Sequence, residues 1–324
     1  MASKETRTPI RSRKLTYIPF ENHDEWLRIR KGYIGGSDAG AIIGLNPYSS
    51  PFSVWAEKTG RLPEFEGNVT TKVGSFLEDL VARMFMEETG KKVQRFNFTI
   101  VNPEYPWACA NIDREVLGED AVLEIKTTNS FVNVKKFRTG EYPEQWYTQM
   151  THYMAVTGAQ KCYLAVLSEC RDFRIFELSR DEEEIKALME AEENFWNKYV
   201  KTNTMPPIDG SAPTTTAIKE LFPFAGEGTA DLSSFADALQ QRKILKDQIK
   251  ALNEQIDTID NQIKAAMGTA ESGSAPGFSI TWKDQASSAL DRDLMKMDYP
   301  GIDFTRYNKR SRVFKVTVNK QKSN

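Results

Sequence analysis

Histidine and cysteine are scarce in this 324-residue chain: His23 and His152 stand beside Cys109, Cys162 and Cys170. Three cysteines without a CxxC spacing exclude a disulfide framework and the usual structural zinc pattern. They fit a reduced compartment, so a cytoplasmic location is expected. Two histidines leave little material for His-ligated metal centres or Ser–His–Asp chemistry. No apolar run approaches the ~18 residues of a membrane helix, and the opening MASKETRTPIRSRKL lacks the apolar segment of a secretory signal. The expectation is a protein with no membrane role. Charge of one sign is lacking too: 43 Lys and Arg against 45 Asp and Glu give a net charge of −2. Nucleic-acid binding would therefore need local basic groups, such as Arg28, Arg30, Lys31, Lys135, Lys136 and Arg138. Enzyme chemistry, if present, must rest on carboxylates and lysine.

Hydrophobic spacing divides the chain into five stretches. Residues 1–20 read as a basic arm, solvated unless a partner holds it. Residues 21–205 mix helices and strands. Helices are expected at 23–31, after Gly35-Gly36 with Ser37 or Asp38 as the cap, from Pro51, at about 70–89, at 143–157 and at 180–201. Strands are expected at Val93–Val101, Trp107–Val116, Ala121–Thr127, 160–167 and 172–178. This order describes an α/β (α+β) domain with a mixed sheet flanked by helices. Proline, threonine and glycine clusters make 206–230 a linker. At 231–267, Leu245, Ile249, Leu252, Ile256, Ile259, Ile263 and Ala266 form a heptad seam, read as a coiled coil or one arm of a helical hairpin. A small tail, 268–324, carries strand-like segments at 278–282 and 312–318.

The chemistry concentrates in Asn111-Ile112-Asp113-Arg114 and Leu123-Glu124-Ile125-Lys126. Strand alternation puts Glu124 and Lys126 on one face, and a hairpin over 118–120 would bring Asp113 to it. Two carboxylates and a lysine at the edge of an apolar sheet are costly to place without a use. They suit metal-assisted phosphodiester hydrolysis: hard oxygens bind Mg²⁺, and the lysine orients water or stabilises charge, its own pKa depressed by the metal. Taken alone, the short string fits a surface hairpin with a cross-strand pair worth ~0.2–1 kcal/mol at least as well. Three flanking features favour the site. Glu78 follows Gly74 among apolar neighbours, Gln149 and Tyr153 share a helical face, and Arg28 and Arg30 precede the Gly35-Gly36-Ser37 turn, where phosphate could sit.

Together these residues resemble the YqaJ-like branch of the phage-type exonuclease family, which includes lambda exonuclease and belongs to the PD-(D/E)xK nuclease superfamily. The similarity runs from about Trp26 to Val200. It includes Ile34-Gly35-Gly36-Ser37-Asp38, Gly44-Leu45-Asn46-Pro47-Tyr48, Trp55 to Gly60, Gly74 to Glu78, Asp113, Glu124-Ile125-Lys126 and Gln149 with Tyr153. The resemblance implies a PD-(D/E)xK core and 5′-to-3′ exonuclease activity on linear double-stranded DNA ends, leaving 3′ overhangs for recombination by single-strand annealing. It implies Asp113, Glu124 and the Ile125 carbonyl as ligands of Mg²⁺, with two ions expected and Mn²⁺ as a substitute. Lys126 would be the catalytic lysine, Glu78 and Gln149 would complete the site, and Arg30 and Ser37 would hold the 5′-phosphate, with Arg28 and Tyr153 beside the DNA. A RecT-like annealing protein is the implied partner, and a homo-oligomeric ring is the implied assembly. Ile112 and Arg114 depart from the proline and glycine that often flank the family's aspartate. A restriction-like or structure-specific endonuclease, and a non-catalytic DNA-binding or scaffolding protein, are the competing readings.

Overall fold

The computed structural model describes residues 10, 13–63, 67, 69–129, 136–137, 139–284 and 292–303. Lys135, Arg138 and the expected strand at 312–318 lie outside them. Two compact units result, Met1–Pro223 and Phe224–Asn324.

In chain order the first unit comprises β1 (Thr16–Pro19), α1 (His23–Lys31), β2 (Ile34–Gly35), α2 (Gly36–Ile42), α3 (Pro51–Lys58), α4 (Val69–Thr89), β3 (Lys92–Arg95), β4 (Phe98–Val101), β5 (Ala108–Cys109), β6 (Arg114–Leu117) and β7 (Ala121–Thr128). It continues with α5 (Glu144–Thr157), β8 (Lys161–Ser168), β9 (Asp172–Ser179), α6 (Glu182–Phe195) and α7 (Ala212–Leu221). Five strands form a mixed sheet in the order β3-β6-β7-β8-β9, in which only the β7–β8 pair is parallel. A parallel pair needs a crossover, and α5 supplies it.

Alternation in β7 and β8 sorts side chains to two cores. Val122, Cys162, Leu164 and Val166 pack with Met150 and Met154 of α5. Leu123, Ile125, Tyr163, Ala165 and Leu167 pack with Val81 and Phe85 of α4. Covered on both faces, β8 is apolar almost throughout. A third cluster joins Phe52, Val54 and Trp55 of α3 to Phe195 and Ala217.

Several boundaries differ from the sequence reading. The segment 93–101 is two strands, because β3 pairs with β6 while β4 pairs with β1. Likewise 107–116 divides into β5, parallel to β2, and β6. Periodicity reports burial and not the strand partner, so a change of sheet leaves no mark on it. The helix α2 is capped by Gly35; Asp38 lies at its third position and accepts the Gly35 N–H at 2.9 Å. The stretch 206–230 is not all linker, for α7 lies within it. Ser211 caps that helix, Ala217 is buried and Thr214 Oγ1 donates to Ser50 Oγ at 2.7 Å. The span read as a solvated arm is also partly packed: Ile10 is buried, Arg13 forms an ion pair with Asp120, and β1 joins β4.

The second unit contains α8 (Ala236–Met267), the hairpin of β10 (Ser272–Ala275) and β11 (Phe278–Thr281), and α9 (Arg292–Asp298). The heptad segment is one continuous helix of 32 residues.

Candidate active site

A cleft of about 750 Å³ opens where α1, the start of α2, α4, the β6–β7 pair and α5 meet. It gathers Asp113, Glu124, Ile125, Lys126, Glu78, Gln149, Tyr153, Arg30 and Ser37, residues that span more than a hundred positions of sequence. Arg28 is not among them; it is exposed on α1, away from the cleft.

The centre is built by β7. Glu124 shares its strand face with Val122 and reaches toward α5, where Gln149 Nε2 donates to Glu124 Oε1 at 2.8 Å. Lys126 Nζ stands 2.6 Å from the same oxygen. The other oxygen, Oε2, is buried and has no hydrogen-bond partner among the described residues. Asp113 immediately precedes β6, and its Oδ2 accepts the Ile125 N–H at 2.7 Å. The strand β7 is central in its sheet and Glu124 is 3% exposed, so the expected sheet edge is corrected to a sheet interior.

Electrostatics follow from this crowding. Burial and the Glu124 and Glu78 carboxylates push Asp113 well above the usual carboxylate range. Burial alone would lower Lys126, but Glu124 and Asp113 outweigh it and hold the ammonium above its ordinary value. The expected depression of Lys126 is thus not a property of the protein's own groups. Burial and the same two carboxylates raise Tyr153, which stays a neutral phenol and accepts from Gln149 Nε2 at 2.9 Å. Both protons of the Gln149 amide are thereby committed, which fixes its orientation.

Glu78 lines the cleft but is drawn to Arg114, whose Nη1 donates to Glu78 Oε1 and whose Nη2 donates to Asp79 Oδ1 at 2.5 Å. Arg114 stands beside Asp113 and also donates to its carbonyl oxygen at 2.6 Å. Among the described residues, no three His, Cys, Asp or Glu side chains are grouped to hold a metal. The candidate donor set is therefore two carboxylates, Asp113 and Glu124, with backbone oxygen beside them.

At the opposite wall Arg30 Nη2 donates to Ser37 Oγ at 2.5 Å and to Asp38 Oδ1 at 3.0 Å. Lys58 Nζ lies 2.7 Å from Asp38 Oδ2. Burial opposes ionisation of Asp38, but Lys58 and Arg30 overcome it and hold the carboxyl well below its ordinary range. Asp38 and Lys58 do not line the cleft but hold Arg30, which does, and the sequence reading gives neither of them that role. His152 lies outside the cleft lining. It is fully buried, with Nδ1 2.8 Å from Glu192 Oε1 and Nε2 2.9 Å from the Cys109 carbonyl oxygen. Burial would lower its pKa, yet Glu192 and that carbonyl raise it; burial raises Glu192 beyond what His152 offsets.

Two glycines of α2 have a packing role. A Cβ on Gly36 would lie 2.6 Å from Tyr153 Cε1 and 3.0 Å from Gln149 Cγ, and one on Gly40 would lie 3.2 Å from Gln145 Cα. Glycine at these two positions lets α2 press against α5. That contact sets Gln149 and Tyr153 into the cleft.

The YqaJ-like viral recombinase domain family matches residues 25–160. The YqaJ protein of Bacillus subtilis (strain 168) is 37% identical over 286 residues, covering 87% of this chain and 89% of that one. A 40-residue stretch is 45% identical to protein D345L of African swine fever virus (strain Badajoz 1971 Vero-adapted), 12% of each chain. Among solved structures, an alkaline exonuclease from Laribacter hongkongensis aligns with a TM-score of 0.49 at 20% identity, over 56% of this chain and 94% of that one. The chain belongs to the YqaJ-like viral recombinase family.

Proposed function

We propose that this protein is a Mg²⁺-dependent exonuclease that degrades one strand of linear duplex DNA from its 5′ end, leaving a 3′ overhang for annealing. The observation that carries the reading is Glu124: a buried carboxylate on a central strand with one oxygen tied to Gln149 and Lys126 and the other without a partner among the described residues, in a cleft that Asp113 also lines. An orphaned buried carboxylate oxygen is costly and fits a hard divalent cation. Asp113, Glu124 and the Ile125 carbonyl would hold Mg²⁺, or Mn²⁺ in its place, with two ions proposed. Such an ion, when bound, polarises a phosphoryl oxygen and lowers the pKa of water.

The remaining roles belong to the chain. Lys126, held charged beside Glu124, offsets negative charge gathering on the phosphate and orients the attacking water. Gln149 fixes Glu124, and Tyr153 fixes Gln149. Arg30, kept charged by Asp38, offers a guanidinium at the cleft wall for a terminal 5′-phosphate, with Ser37 beside it. Work in the cytoplasm beside a RecT-like single-strand annealing protein, on a ring of subunits, is the setting in which such an overhang would be used.

The test compares linear duplex with 5′-phosphate or 5′-hydroxyl ends and closed circular DNA, in Mg²⁺, Mn²⁺ or chelator. Expected are loss of linear DNA, preference for the 5′-phosphate, intact circles and no reaction with chelator. Cleavage of circles would point to an endonuclease, and inertness in every metal to a non-catalytic DNA-binding protein.

A further inference from the structure

The helix α8 spans 32 residues, roughly 48 Å at about 1.5 Å per residue, and buries none of its side chains. Leu245, Ile249, Leu252, Ile256, Ile259 and Ile263 are between 38% and 56% exposed along one stripe. A stripe of this kind on a mainly polar helix marks a contact surface. Its spacing places Ile249, Ile256 and Ile263 at heptad position a, and Leu245, Leu252, Ile259 and Ala266 at d. Three isoleucines at a face a d row of two leucines, one isoleucine and one alanine, an apolar seam that a second helix can cover.

Two properties of the stripe select the second strand. It reads alike in both directions about Glu254. A second copy running the opposite way sets Leu245 against Ile263, Ile249 against Ile259, Leu252 against Ile256 and Arg242 against Ala266. A parallel copy would instead stack Arg242 on Arg242. The flanking charges agree. Position e holds Lys246, Asn253 and Asp260, while position g holds Gln241, Gln248, Gln255 and Gln262. In the antiparallel arrangement e meets e, so Lys246 faces Asp260 at both ends, Asn253 faces Asn253, and the uncharged g glutamines face one another. In a parallel arrangement each e residue meets a g glutamine, and no charge pair forms.

We propose that α8 forms an antiparallel two-stranded coiled coil between two copies of this chain. The pairing concerns the helix alone and stands whether or not the cleft cuts DNA.

The test measures mass and dissociation constant of the full chain by light scattering and sedimentation, for the native protein, K246D, D260K and the K246D/D260K double variant. All three keep exposed e positions polar, and circular dichroism checks their helicity. A dimer, or an even-numbered assembly, is expected for the native chain. Each single variant opposes like charges at both ends of the pair and should raise the dissociation constant about tenfold, and the double variant should return it to within about threefold of native. A monomeric native chain overturns the proposal, as does association that the single variants leave unchanged. Single variants that weaken association without rescue in the double variant also overturn the antiparallel pairing.

Discussion

Tyr153 Cε1 occupies the space that a Cβ on Gly36 would need, at 2.6 Å. This contact joins the start of α2 to the helix that carries Gln149, so the glycine governs how closely the two walls of the cleft approach. Gly36→Ala should cost about 1–3 kcal/mol and lower turnover through displaced Tyr153 and Gln149. Gly32→Ala, where the added Cβ meets only the Ile29 carbonyl oxygen at 3.4 Å, should change stability by less than about 0.5 kcal/mol. Denaturant unfolding and DNA turnover read both; a native-like Gly36→Ala would remove the close-packing argument.

Glu124→Gln keeps the shape of a central-strand side chain and removes its charge. Hydrolysis should fall by a factor of about 10²–10⁴ while thermal unfolding is unchanged or shifted upward. Lys126→Met should lose a comparable factor. Near-normal turnover in Lys126→Met would take the lysine out of the reaction. The alanine variant at Glu124 is the poorer probe, since it opens a void against Gln149.

Asp38 has a depressed pKa in the folded chain, with Lys58 and Arg30 as its partners. The sign follows: its stabilisation is present above the unfolded carboxylate value near ~3.9 and is lost as pH falls toward the folded value. The stability difference between the native chain and Asp38→Asn should be constant between about pH 5 and 7 and shrink below about pH 4. Unfolding curves at a series of pH values decide it, and a difference that grows in acid would contradict the pairing.

Glu192 is left with a buried and unmatched carboxyl if His152 is removed. His152→Ala should therefore cost about 3–5 kcal/mol, and the double change His152→Leu with Glu192→Met should cost less than the sum of the single ones. A double-mutant cycle should give a coupling above about 1 kcal/mol. Additive costs would mean that the pair does not act as a unit.

Much of the fold is legible in the sequence because burial has a period. The α1 boundaries, the start of α3 at Pro51, the end of α4 before Gly90 and the strands β7 and β8 follow from spacing and end signals. Pairing is not periodic. The division of 93–101 between two sheets depends on which strands lie opposite, and α7 reads as linker because its proline and threonines hide two buried contacts, at Thr214 and Ala217.

The sequence by itself determined the candidate chemistry. With two histidines and no zinc spacing, candidate chemistry falls to carboxylates and lysine; alternation alone puts Glu124 and Lys126 on one face, and the family resemblance adds Asp113 to them as candidates. Only the tertiary structure decided the environment of those groups. It placed β7 at the middle of the sheet, turned Glu78 to Arg114, packed Gly36 under Tyr153 and joined Asp38 to Lys58 and Arg30. Burial and charge pairing are sums over neighbours distant in sequence, and a linear pattern carries the residue types but not those sums.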